Sequence, residues 1–214
     1  MSRRIGLLCS SVIVMFVALY LASYSYTKGD TLNVFLNGYL NEPQKYLFLL
    51  SMFITSIFLS LFVPYFEPVI HIRLKGDIFS YILKYGAKIS LFIAILLFGI
   101  FFMSGMVIGL EFNPDLSCIV IIGKLFLFVF CMFLICNTLY FLTEKKILAI
   151  FISLVVNFGL LMLIYGIDFY TMNNEMNKKW IYVLYEVYIM VGILGSGIYL
   201  YKNAEKEVCI SQEK

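Results

Sequence analysis

The chain has 214 residues, of which 62% are hydrophobic and only 14% charged, with a formal net charge of +3. A soluble domain carries about 45–50% apolar and about 25% charged residues, so this composition excludes a water-soluble enzyme. The charge is too small for a nucleic-acid-binding protein, and no room is left for a soluble catalytic or ATP-binding domain beside the apolar segments.

Six apolar segments follow one another: 5–23, 46–66, 89–110, 117–142, 147–167 and 180–201. A bilayer of about 30 Å is crossed by roughly 20 helical residues, so each is long enough to span. The expected fold is therefore an all-α polytopic membrane protein, one transmembrane domain over residues 1–214. The first segment follows Arg3 and Arg4 as a signal peptide would. Its apolar run exceeds the usual 7–15 residues, which predicts an uncleaved first span. Thr143-Glu144-Lys145-Lys146 predicts a tight turn between spans four and five.

Orientation follows the distribution of Lys and Arg. With the N-terminus inside, the inner loops receive Arg3, Arg4, Arg73, Lys75, Lys84, Lys88, Lys145, Lys146, Lys202, Lys206 and Lys214. The outer loops receive only Lys28, Lys45, Lys178 and Lys179. Both termini are expected on the cytoplasmic side. Tyr20, Tyr24, Tyr26, Tyr65, Phe66, Trp180, Tyr199 and Tyr201 fall near span ends, where amphipathic rings favour the headgroup layer.

The loop after span two has a pattern of its own. Pro64 and Pro68 close that span, because proline cannot continue a helix without cost. Asp77 is placed to cap a following helix. Ile78, Phe79, Ile82, Tyr85 and Ile89 recur at helical spacing, with Ser80, Lys84 and Lys88 on other faces. This predicts a basic amphipathic helix lying flat before span three, anchored in the lipid interface or docked on a soluble partner.

Ionisable groups inside spans are costly and mark functional candidates. Lys124 in span four and Glu186 in span six lie about two turns from the outer side, and form a candidate ion pair if those spans touch. The alternative is that each snorkels to the interface. Asn137 and Asn157 are expected to hydrogen-bond between helices. Gly99, Ser104, Gly105, Gly109, Gly192, Ser196 and Gly197 permit close helix approach, and Gly105-x-x-x-Gly109 matches a dimerisation pattern.

Catalytic patterns are missing. His71 is the single histidine, which precludes H-E-x-x-H, and no P-loop, G-x-S-x-G or G-x-G-x-x-G occurs. The five cysteines, Cys9, Cys118, Cys131, Cys136 and Cys209, contain no CxxC pair and read as small apolar filler. A membrane peptidase pairing His71 with a cysteine is disfavoured, because the next cysteine, Cys118, falls in the outer half of a span. No catalytic, cofactor or metal residue is assigned.

With six spans, both termini inside, a proline-ended span two and the basic segment from Ile72 to Lys84, the chain resembles the six-span permease subunits of ABC-2-type transporters. It is most similar to short permeases of bacteriocin or lantibiotic self-immunity and hydrophobic-peptide export. The resemblance implies a bacterial plasma-membrane subunit that is not itself an enzyme. ATP would be hydrolysed on a separate ATPase, and a second permease copy or paralogue would complete the path for a hydrophobic or amphipathic peptide. In that family the loop after span two is the coupling helix, so Arg73, Lys75, Asp77, Phe79, Tyr81 and Lys84 would meet the ATPase. Spans one, two and five are the expected apolar surface for the peptide. The other expectation is a stand-alone membrane immunity or scaffold protein that binds a peptide without ATP.

Overall fold

The computed structural model describes residues 3–40, 78–111, 117–143, 145–170 and 175–203. Every regular element among them is an α-helix: α1 (Arg3–Thr27), α2 (Leu32–Leu40), α3 (Ile78–Ile108), α4 (Ser117–Thr143), α5 (Lys146–Tyr170) and α6 (Glu175–Asn203). Three are long and apolar enough to cross a membrane over Ile78–Ile108, Cys118–Thr143 and Trp180–Asn203. Shorter apolar stretches occupy Ser11–Thr27 of α1 and Ile147–Leu160 of α5. Large side chains such as Phe16, Met103, Val107, Ile147, Phe151 and Met190 face outward. Apolar exposure on this scale is alien to a soluble monomer and suits a lipid surround.

Local chemistry sets the helix ends. Gly29 (φ 76°) and Gly109 (φ 93°) adopt the left-handed conformation that a side chain disfavours. Each closes its helix with a paired C-terminal hydrogen-bond motif. The Gly29 N–H donates to Tyr26 O at 3.0 Å and Asp30 N–H to Ser25 O at 3.1 Å. The Gly109 N–H donates to Met106 O at 3.1 Å and Leu110 N–H to Gly105 O at 3.0 Å. Thr31 caps α2, its Oγ1 accepting from Val34 N–H at 3.4 Å. The tight turn expected after span four is present: α4 ends at Thr143 and α5 begins at Lys146.

Cross-helix contacts set the directions. Leu32 N–H donates to Glu111 O at 3.0 Å, so the far ends of α1 and α3 lie together and the two run parallel. Gly86 of α3 lies against the rings of Phe133 and Phe130 of α4, which makes that pair antiparallel. Phe128 stacks on Tyr185 at 6.2 Å, and Cys131 and Ile135 lie against Gly192, so α4 and α6 run parallel. Helix α5 follows the short connection from α4, packs against α4 and runs back along it. One end of the bundle thus gathers the starts of α3 and α5 with the finishes of α4 and α6, as the Phe79–Tyr201 ring contact at 5.4 Å also requires. The exposed lysines 84, 88, 145 and 202 share that end, while Lys28 stands at the other, over the Tyr24 ring at 4.4 Å. Its hydrogen bond to Tyr24 raises the Lys28 pKa above the ordinary value.

Helix α4 is the hub, packing on α2, α3, α5 and α6. Its middle turn, Cys131 to Leu134, is buried on every side, while Ile119, Val120, Leu127 and Leu142 nearer its ends are exposed. Leu125, Phe128, Val129, Met132, Phe133 and Leu134 are all closed off from the surroundings. Helix α1 meets α3 through Val14, Ala18, Ala22 and Ser25, a row whose small members let the backbones approach.

Two expectations are revised. The stretch 24–45 was expected as an outer loop, but it holds α2, wedged between α3 and α4 with Leu32, Phe35, Leu36 and Leu40 buried. The flat amphipathic helix before span three is also revised from Ile78 onward. Residues 78–88 are the first turns of the unbroken 31-residue helix α3. A helix turning from flat to upright breaks its i→i−4 ladder, and α3 contains no break. The apolar positions Ile78 and Ile82 are buried within the bundle, not laid on lipid. Span two and residues Arg73, Lys75 and Asp77 lie outside the described residues.

Candidate functional site

An apolar groove of about 580 Å³ runs between α1 and α3. Met15 and Leu19 form one wall, and Ile95, Gly99, Met103 and Val107 the other. The one hydroxyl on the lining, Ser104 Oγ, donates to Ile100 O at 2.8 Å, so the wall offers no free donor. A Cβ added at Gly99 would meet nothing within 4 Å, so the missing side chain leaves open space. The volume falls in the range of small-molecule sites, about 300–1,000 Å³. The groove can hold an apolar chain or side chain and has no means of chemistry. Of spans one, two and five, named as the expected apolar surface for a peptide, only span one lies in helices lining this groove, and its other wall is α3. Helix α5 contributes none of the groove's lining and turns Phe151 and Phe158 outward, and span two lies outside the described residues.

A polar junction lies deeper, where α4, α5 and α6 meet. Tyr188 OH donates to Asn157 Oδ1 at 2.7 Å and lies 3.8 Å from Met132 Sδ. Asn157 Nδ2 donates in turn to Ser153 O at 2.7 Å. Asn157 is therefore an interhelical link, as its intramembrane position suggested, through a tyrosine partner that the sequence does not single out. Asn137 behaves differently, its Nδ2 donating to Phe133 O of its own helix at 2.7 Å. Cys131 and Cys136 are buried free thiols in this region, packed as small apolar side chains.

The glycine pattern Gly105-x-x-x-Gly109 is used within the chain. Leu32 of α2 presses on the bare face of Gly105, where any Cβ would overlap it, and Gly109 terminates α3. Gly105 is therefore covered from within the chain, while Gly109 stands exposed at the end of α3.

The expected coupling residues divide. Phe79 is turned into the bundle against Tyr201, and Tyr81 stacks on Tyr85 at 5.7 Å. Lys84 is exposed. The condition for a Lys124–Glu186 pair, contact between α4 and α6, is met. With Phe128 level with Tyr185, however, the two lie about five residues apart along the axes, roughly 7 Å. Lys124 is half-buried and Glu186 exposed.

Among the described residues, no group of three or more His, Cys, Asp or Glu side chains is placed to hold a metal ion. Comparison with protein-family models, curated proteins and solved structures finds no match, so fold and site stand on the chain's own geometry.

Proposed function

We propose that the chain is the membrane-spanning permease subunit of an ATP-binding-cassette transporter that moves a hydrophobic or amphipathic peptide. A separate cytoplasmic ATPase supplies the energy, and a second permease copy or paralogue completes the path. One observation carries this reading: a single unbroken helix, α3, holds exposed Lys84 and Lys88 near one end and walls the apolar groove further along. At about 1.5 Å per residue it is roughly 46 Å long, so force applied at its basic end reaches the groove as a rigid-body displacement. The segment before it, with Arg73, Lys75 and Asp77, is the ATPase contact in this scheme, and both termini face the cytoplasm of a bacterial cell.

Affinity purification from native membranes tests the reading. An ATPase with a P-loop is expected to co-purify with the intact chain and to be lost on charge reversal at Arg73, Lys75 and Lys84. Absence of any ATPase from the intact complex refutes it. The second reading is a stand-alone membrane protein that binds its peptide in the groove without ATP. The unbroken run of α3 from Ile78 in place of a separate flat element favours that reading. Peptide binding unchanged by ATP and by removal of the ATPase gene would establish it.

A further inference from the structure

The face of α3 that carries the near end of the groove, Ile95 and Gly99, continues to the basic end, while the lining farther along winds round to Met103 and Val107. At 100° per residue, Lys84, Lys88, Ile95 and Gly99 fall within an arc of about 60°. Leu91 lies on the same line and is exposed. Lys88 stands seven residues from Ile95, roughly 10 Å along the axis, and Lys84 one turn beyond it. A pair of ammonium groups thus sits above an open apolar slot, at the spacing of a headgroup above its hydrocarbon.

The opposite end lacks this register. On α1, Lys28 lies thirteen residues beyond Met15, which turns it about 140° from that groove-lining residue. Its ammonium is directed onto the Tyr24 ring. Lys84 and Lys88 are thus in register with the groove and Lys28 is not.

From this we infer that the α1–α3 groove binds an anionic phospholipid from the leaflet at the basic end. Lys84 and Lys88 hold the phosphate, and one acyl chain lies along Ile95, Gly99 and Met103. The apolar wall selects a chain and rejects a polar tail, because an amide or hydroxyl placed there finds no partner. Basic pockets between membrane helices recognise anionic headgroups by the same physics. The lipid is the resting occupant, and any apolar peptide entering the groove must displace it. The inference depends on the groove and the two lysines, not on an ATPase.

The test uses the full chain, purified and delipidated in detergent, then offered an equimolar mixture of phosphatidylglycerol and phosphatidylcholine. Retained lipid is measured by mass spectrometry. Wild type is expected to retain phosphatidylglycerol over phosphatidylcholine by roughly tenfold, given two lysines at the headgroup level. Lys84→Gln with Lys88→Gln abolishes the preference. Gly99→Phe fills the slot and lowers retention of phosphatidylglycerol several-fold. The open space at Gly99 lets this variant fold, which an unchanged helical circular-dichroism spectrum verifies. Equal retention of the two lipids by wild type overturns the inference. So does a preference that survives the double lysine variant, or retention unaffected by Gly99→Phe in a folded protein. No ATPase or nucleotide is present, so a negative result leaves the transport reading standing, and failure of that reading leaves this one standing.

Discussion

Helices α4 and α5 are both long and strongly apolar, yet they occupy opposite situations. Helix α4 touches four neighbours and buries side chains on every face, whereas α5 rests on the bundle along a narrow seam of Ala149, Ser153 and Asn157. Its remaining large residues, among them Ile147, Phe151, Val155, Phe158 and Met162, face outward. Apolarity suits both helices to a lipid surround, where one hydrocarbon surface attracts another no better than it attracts an acyl chain. Small and polar side chains decide which helices then adhere. The bundle adheres where Gly86, Gly105 and Gly192 admit a neighbour and where Tyr188 finds Asn157.

The sharpest way to break the contrast is to truncate an aromatic ring in each helix. Phe128→Ala removes a fully buried ring from α4 and is expected to cost about 3–5 kcal/mol. Phe158→Ala on the outer face of α5 is expected to stay within about 0.5 kcal/mol. Reversible unfolding in mixed micelles measures both, and equal losses would end the distinction.

A smaller effect comes from adding volume. Gly86→Ala sets a methyl group against the Phe133 ring and is expected to cost about 1–3 kcal/mol. Gly159→Ala on α5 meets open space and is expected to be neutral or slightly stabilising. The same unfolding assay reads both.

Next in size is the hydrogen bond that attaches α5. Tyr188→Phe and Asn157→Leu are each expected to cost about 0.6–2 kcal/mol, with the double variant little worse than either single one. Additive losses would show that the two side chains do not act together. The smallest effect concerns Lys124 and Glu186. Their axial offset and the exposure of Glu186 predict a coupling below about 1 kcal/mol in a Lys124→Met, Glu186→Gln double-mutant cycle. A larger value would establish the pair.

Much of this fold can be read from hydropathy. The segments at 5–23, 117–142, 147–167 and 180–201 fall within α1, α4, α5 and α6, because a long apolar run has one stable form in lipid. Helix α2 is hidden by its nine-residue length and by Asn33 and Asn37. Even so, Leu32, Phe35, Leu36 and Leu40 keep helical spacing behind the capping Thr31. The start of α3 misleads for another reason. Its amphipathic pattern is genuine, but the apolar stripe of Ile78 and Ile82 answers to neighbouring helices, and periodicity does not say whether a stripe faces lipid or protein. The groove was not legible as such: its walls are α1 and α3, and adjacency between helices is written in no single segment.

The hydrogen bond from Leu32 to Glu111 joins the segment just after α1 to the segment just after α3, and the Leu32 side chain is lodged at Gly105 beside it. The two arms of the groove are therefore joined at that end, and any spreading of them is expected at the opposite tips, near Lys84.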